Sequence, residues 1–262
     1  MNTFLIIDGM NLVRRMHAAQ PNENDVNGLD ARVGSACKKL VKYHQPTHVA
    51  VVWDGDDISW RKHLFEDYKK GRKPMPQALS NTLPALKSYL AAQGFNSIDA
   101  ASEADDVIAT LASKLVSNGG KAIIVSTDKG FTQLSDPNIQ RWDHFNQDYM
   151  TIEEREKKLG VEHSQFIDYL ALAGDSGNKI PGVPGIGPKS AIELLRTFRS
   201  LANIYASLDK VGAKQAKKLE AGKQMARLSY KLVQLQTDIP LNVNLSQFRL
   251  PTPDAKPSPR QM

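Results

Sequence analysis

The chain has 262 residues, with 34 Lys and Arg against 28 Asp and Glu, giving a formal net charge of +6. No apolar run approaches the roughly 20 residues of a bilayer-spanning helix, and MNTFLIIDG has neither the basic flank nor the cleavage site of a signal peptide, so a cytoplasmic protein without membrane contact is expected. The single cysteine, Cys37, excludes an internal disulfide framework and a thiolate zinc site and reads as a buried core thiol.

Three short apolar runs, TFLIIDG, THVAVVWDG and KAIIVSTDKG, are rich in β-branched residues and read as buried parallel strands, each followed by an aspartate: Asp8, Asp54 and Asp128. Helical patterns lie between them over residues 30–43, 76–93 and 105–117. This alternation predicts an α/β fold, a parallel sheet covered by helices, occupying residues 1–160. Ligands of such sheets sit beyond the carboxyl ends of the strands, where the three aspartates fall. Capping a turn explains any one of them, but all three less well.

Between the second strand and the next helix, FEDYKKGRKPMP sets Lys69, Lys70, Arg72 and Lys73 beside Tyr68. Such a cluster suits a phosphate and a stacked base; the plain alternative is a solvated loop. Further on, ASEADDVIATLA places Glu103, Asp105 and Asp106 at the start of a buried helix. Ser102 and Asp105 have capping-box spacing, which accounts for one acid and not three. Adjacent Asp105 and Asp106 cannot both face inward, and Asp105 is favoured as the inward one.

If Asp8, Asp54, Glu103, Asp105, Asp106, Asp128 and Asp175 converge, each pair about 4 Å apart repels by roughly 4 kcal/mol at an effective dielectric of 20. Either several protonate, or divalent cations bind. An all-oxygen donor set selects Mg²⁺ or Mn²⁺, and the six histidines show no spacing suited to zinc. Such ions activate water and stabilise the leaving oxygen of a phosphoryl displacement. In a basic chain the phosphate is plausibly that of a nucleic acid.

From about residue 161 the chain reads as helices joined by the elbow GDSGNKIPGVPGIGPKSA, which looks like a helix-hairpin-helix element. Gly185 and Gly187 let backbone approach a ligand, and the helix start at Lys189 and Ser190 can hold a DNA phosphate. A plain interhelical turn is the alternative. Seven cations between Lys210 and Lys231, against Glu220 alone, form a basic helical face. This helical domain is placed at 161–250, with a Pro-rich disordered tail at 251–262. GDSG as a protease motif, GVPGIGPKS as a P-loop and DGMN as a phosphatase motif all lack the required context.

Jointly, IIDGMNL, VVWDG, YKKGRKPMP, EADDVIATLA, VSTDKGFTQL and GDSGNKIPGVPGIGPKSA resemble the 5′ nuclease, or flap endonuclease, family, above all its short bacterial exonuclease IX type and the 5′ nuclease domain of bacterial DNA polymerase I. The resemblance implies a PIN-like nuclease domain with a helix-hairpin-helix (H3TH) domain; no coiled-coil pattern is present, so a monomer is expected. Its implied activity is metal-dependent cleavage of branched, 5′-flap DNA to 5′-phosphate and 3′-hydroxyl ends, in endonuclease or 5′–3′ exonuclease mode. It implies two divalent ions, the first held by Asp8, Asp54, Glu103 and Asp105 with Asp106 beside them. Lys69 and Arg72 match the catalytic basic pair, Tyr68 matches a stacking position, and a helical arch would begin near them. A K⁺ ion would sit on the carbonyls of Ile180, Pro181, Val183 and Ile186.

Two departures thin the second metal site to Asp128 and Asp175: Gly130 and Asn178 stand where the family commonly has acids. A branched-DNA-binding protein with a weakened centre is therefore the alternative reading, and an RNA-directed nuclease a third.

Overall fold

In a computed structural model that describes residues 1–251, the expected parallel sheet is present and larger than the three legible strands. The six strands are β1 (Thr3–Asp8), β2 (His48–Trp53), β3 (Ser97–Asp99), β4 (Lys121–Val125), β5 (Ile139–Asp143) and β6 (Asp148–Tyr149). They lie in the order β3-β2-β1-β4-β5-β6, all parallel except β6, which runs against β5. β1, β2 and β4 are almost wholly buried, as continuous apolar runs covered on both faces must be.

One face carries α1 (Gly9–Ala18), α2 (Leu29–His44) and α4 (Gln77–Ala92) over a core of Leu5, Ile7, Val49, Trp53 and Leu86. The other carries α5 (Ala104–Ser117) over Phe4, Ile6, Val52 and Ile108. Cys37 is in the first core, where burial raises its thiol to about 12. Between β2 and α4 stands only α3 (Trp60–Leu64) and a turn, so the arch implied near Tyr68 is reduced to five helical residues. The chain order puts β1 between β2 and β4, so the connections leave β1 in opposite directions, and a crevice opens at the carboxyl ends of these strands.

After α6 (Ile152–Leu159) come α7 (Phe166–Ala173), α8 (Pro188–Phe198), α9 (Leu201–Ala206), α10 (Ala213–Ala221) and α11 (Lys223–Val233), with a core of Leu172, Val183, Leu195, Ile204 and Leu219. The last α-helix among the described residues is α11. Leu235, Ile239, Leu241, Val243 and Phe248 return to the α5 face of the sheet, and the Leu250 amide donates to the Thr47 carbonyl at 2.9 Å. The expected tail, beyond Pro251, lies outside the described residues. No helix among the described residues is long and apolar enough to cross a membrane.

Phe248 pins this returning strap, 4% exposed and with its ring 6.0 Å from that of Phe4. Phe248→Ala is expected to destabilise the chain by about 3 kcal/mol, read from urea unfolding. A change below about 1 kcal/mol would mean that the strap is not part of the sheet's core.

Candidate active site

Each acid at the sheet's carboxyl end is first a local structural device. Asp8 caps α1, its Oδ1 accepting from the Asn11 amide at 3.0 Å, and its Oδ2 accepts from the Ser126 hydroxyl at 2.8 Å. Asp128 caps the short 3₁₀ turn Lys129–Gln133 through the Gly130 amide at 2.6 Å. Asp54 supplies from another strand the cap that α5 lacks in its own sequence: its Oδ1 accepts from the Ala104 amide at 2.8 Å. That placement needs Gly55, whose amide donates to the Ser102 carbonyl at 2.6 Å and whose added Cβ would lie 2.0 Å from the Ala100 oxygen. Capping and convergence therefore hold together: the caps orient the carboxylates.

Asp8, Asp54, Asp105, Asp128 and Asp175 line one cavity, joined there by Arg14, Arg15, Lys69, Arg72 and Lys129. Burial raises Asp8 to about 7, with Asp54 and Asp128 adding to the rise against the Asn11 and Ser126 hydrogen bonds. Asp105 is likewise raised, by burial and then by the charges of Asp128 and Asp8. The cavity thus stores unfavourable negative charge. Among the described residues, no three acidic, histidine or cysteine side chains already stand as a closed cation cage.

Glu103 and Asp106 are not brought into this group. Arg61, 2% exposed, reaches Glu103 at 2.5 Å and Asp106 at 2.8 Å through both terminal nitrogens. Its remaining donors go to the carbonyls of Leu232 at 3.0 Å and Gln234 at 2.8 Å. Asp106 also accepts from the Trp60 indole and the Gln236 amide. Glu103 also accepts from Ser59 and pairs with Lys69. Burial works to raise Glu103, but Lys69 and Arg61 overrule it and lower the carboxyl to about 2. The reading of Asp105 as the inward acid agrees with this geometry; Asp106 faces Arg61 instead.

Tyr68 also lines the cavity, with little of its side chain exposed. It is 6% exposed, packed with Ile180 and Leu232, and its hydroxyl donates to Glu103 at 3.2 Å. Lys70 and Lys73 lie outside the cavity, paired with Asp67 and Glu23 on the surface. Lys69 and Arg72 do line it, held by the second unit: the Lys69 amide donates to the Asn178 carbonyl, and Arg72 bonds the Asn178 side chain. Asp175 also faces the cavity, but its Oδ1 pairs with Lys129 at 2.9 Å and its Oδ2 accepts from the Asn178 side-chain Nδ2 at 2.8 Å.

In the elbow, Gly182 and Gly185 take left-handed φ of 65° and 81°, which other residues rarely adopt. The Lys218 ammonium donates to the Gly185 carbonyl at 2.9 Å. Extended Gly187 and then Pro188 start α8, leaving the amides of Lys189 and Ser190 at its exposed first turn. Of the four carbonyls implied for a K⁺ ion, those of Ile180 and Val183 already accept from Asp175 and Ile186.

The residue that the sequence did not announce is Arg61. It sits in an ordinary run of cations, Arg61, Lys62 and His63, with nothing local to mark it. Arg61→Ala strands two buried carboxylates and is expected to cost about 3 to 5 kcal/mol in chemical denaturation. Arg61→Lys should recover only part of this, because an ammonium cannot reproduce the planar fork.

Residues 3–160 match the family model of the 5′-3′ exonuclease N-terminal resolvase-like domain, and residues 161–256 that of the 5′-3′ exonuclease C-terminal SAM fold. The flap endonuclease Xni of Shewanella sediminis is 95% identical over 255 residues, covering 97% of this chain and all of that protein. The flap endonuclease Xni of Shewanella oneidensis is 66% identical over 97% of each chain. Among solved structures, a bacteriophage T5 5′-exonuclease with divalent zinc ions bound superposes with a TM-score of 0.76, at 24% identity over 90% of each chain. The catalytic core of Rad2 in complex with a DNA substrate gives 0.57 at 18% identity, over 90% of this chain and 81% of that one. The chain belongs to the 5′-3′ exonuclease family, alongside the flap endonucleases Xni.

Proposed function

We propose that this chain is a structure-specific 5′ flap endonuclease and 5′–3′ exonuclease that hydrolyses DNA phosphodiester bonds with divalent metal ions, Mg²⁺ or Mn²⁺. The observation that carries this reading is the convergence of Asp8, Asp54, Asp105 and Asp128 on one cavity otherwise rimmed by cations, where burial and then the neighbouring carboxylates raise Asp8 and Asp105. Hard divalent ions fit this donor set, which offers carboxylate oxygens alone. Asp8, Asp54, Asp105 and Asp128 would hold them, and the ions supply an activated water and charge stabilisation at the phosphate when bound. Asp175 is a poorer ligand because its charge is already met by Lys129, whereas Asp8 accepts only from neutral donors.

The rest of the work falls to the chain itself. Arg14, Arg15 and Arg72 rim the cavity with charge that attracts and orients a phosphodiester. Lys69 lines the same wall and holds Glu103 in its ionised form. Lys189 and Ser190, at the start of α8, would bind the backbone of the DNA duplex, as would the exposed lysines of α10 and α11. A K⁺ ion on the carbonyls of Ile180, Pro181, Val183 and Ile186 would have to share the Ile180 and Val183 oxygens with the amides of Asp175 and Ile186. The relatives named flap endonucleases favour the enzyme over a DNA-binding protein with a lost centre.

A 5′-flap duplex incubated with Mg²⁺ or Mn²⁺ should be cut near the junction, and chelator should stop the reaction. Asp8→Ala should lower the single-turnover rate by at least about a hundredfold, the scale of losing one preorganised electrostatic element. A variant that still cuts at the wild-type rate would remove Asp8 from the mechanism.

Metal binding should also follow pH. Asp8 is raised from its ordinary 3.8 to about 7, so a cation that needs its ionised form must displace a proton. Mn²⁺ affinity, measured by calorimetry without DNA, should weaken as pH falls through about 7, by up to about tenfold per unit, with buffer-dependent heats reporting proton release. For the metal-free chain the pH dependence is opposite: the native state binds the extra proton, so the Asp8 contribution to stability decreases as pH rises from 3.8 towards 7. Asp8→Asn should flatten that slope in thermal melts.

A further inference from the structure

The functional surface does not end at the acidic cavity. Arg15, on α1, lines the cavity, and its guanidinium lies 4.1 Å from the centre of the Phe145 ring. Phe145 sits in the turn after β5, at the carboxyl end of the sheet, and is 36% exposed. The His144 ring follows edge-on at 5.4 Å. It lines a second concavity whose other walls include Lys39, Lys42, Tyr43 and Trp142.

Tyr43 is the notable member, a large ring 64% exposed on the side of a folded sheet. It is held rather than loose. Its ring packs at 4.8 Å and 37° on Trp142, which is braced edge-on by His44 at 4.7 Å and Tyr149 at 4.9 Å. His44 Nδ1 and the Tyr149 hydroxyl complete the brace with a 3.0 Å hydrogen bond. The result is a fixed aromatic platform with a face open to solvent and exposed Lys39 and Lys42 at its sides.

The charge along this path is positive and available. Among the described residues, none of Arg15, Lys39 and Lys42 forms an ion pair. Asp143 is buried, and its carboxylate is occupied by the amides of Phe145 and Asn146 and by the Asn146 side chain. Exposed Asp148, in β6, is the one acid of the turn left at the surface.

We propose that this track is a second DNA contact, which binds a single-stranded segment running from the cavity over Phe145 to Tyr43. Unpaired bases stack on the two rings, and phosphates meet Arg15, Lys39 and Lys42. A duplex keeps its base faces closed and would leave Tyr43 without a partner; alternation of open rings and unpaired cations is the pattern that suits a single strand. The proposal rests on the reading of the chain as a DNA nuclease.

The test is metal-free binding, followed by fluorescence anisotropy, of junctions with a single-stranded arm of about ten nucleotides on the flap or on the template, and of the same junction without an arm. Tyr43→Ala should weaken binding of an armed junction by about tenfold, the scale of one stacked base, and leave the armless junction bound as before. Tyr43→Phe should retain wild-type binding. Lys39→Glu combined with Lys42→Glu should weaken armed junctions and reduce their salt dependence. Equal losses with and without an arm, or no loss in either variant, would overturn the proposal. Flap cleavage by the wild-type chain is scored separately. A chain that cuts flaps but ignores these substitutions loses only the track. A chain that binds arms through Tyr43 but never cuts loses only the nuclease reading.

Discussion

One buried guanidinium ties the molecule together. Arg61 carries five N–H donors, and all have acceptors: Glu103, Asp106 and the carbonyls of Leu232 and Gln234. These come from α3, the start of α5 and the segment leaving α11, three parts of the chain that share no strand. Two carboxylates against one guanidinium leave a negative charge, and Lys69 compensates it from the cavity side. Desolvating ions in this way is tolerable only because every donor is matched. The consequence is geometric: the turn that carries Lys69 and Arg72, the helix that carries Asp105 and the end of the helical unit are held at fixed positions around one cavity.

That clamp sorts acids that are neighbours in sequence. Asp105 and Asp106 differ by one position, hence by about 100° around the helix, so a fixed helix start cannot aim both the same way. Asp106 takes the guanidinium and becomes a structural ion. Asp105 is left facing Asp8 and Asp128 with no cation bonded to it, and its pKa rises for that reason and because it is buried. Glu103 is pulled towards Arg61 and Lys69 and is lowered to about 2 after the opposing effect of burial. Acids within four residues thus stand in opposite electrostatic surroundings, Glu103 and Asp106 paired with cations inside the fold and Asp105 facing the cavity among other carboxylates.

The strands TFLIID, HVAVVW and KAIIV were legible because a strand buried on both faces must be a continuous apolar run, and α2, α4 and α5 because their apolar residues recur with helical spacing, whereas α1 and α3 were not read. β3, β5 and β6 were not, being short or carrying polar residues such as Arg141 and Asp148 at sheet positions. Asp8, Asp54, Asp105 and Asp128 could be anticipated from strand ends and a helix start. Arg61 could not, because its partners lie 42 to 173 residues away and no local period encodes them. The burial of Tyr68 was hidden for a related reason: a tyrosine among lysines reads as exposed, but the ring packs on Ile180 and Leu232 from the helical unit while still lining the cavity. The strap from residue 235 to 250 was read with the helices before it, since nothing in its composition says which core will receive its apolar side chains.

The departures at Gly130 and Asn178 make sense as a set once Lys129 is included. A side chain at position 130 would start 3.0 Å from Asp128 Oδ1, so an acid there would press on a carboxylate already raising the pKa of its neighbours. At position 178, the amide does what a carboxylate cannot: it donates to Asp175 Oδ2 and accepts from Arg72. An aspartate would keep the second bond and turn the first into repulsion between two anions. With Lys129 on the other oxygen, Asp175 is fully satisfied by the chain's own groups. The interaction also reaches the first domain, since the same Asn178 holds both the Arg72 side chain and the Lys69 amide. At this end of the cavity Asn178 thus fastens the basic turn, through the Lys69 amide and the Arg72 side chain, to the helical unit.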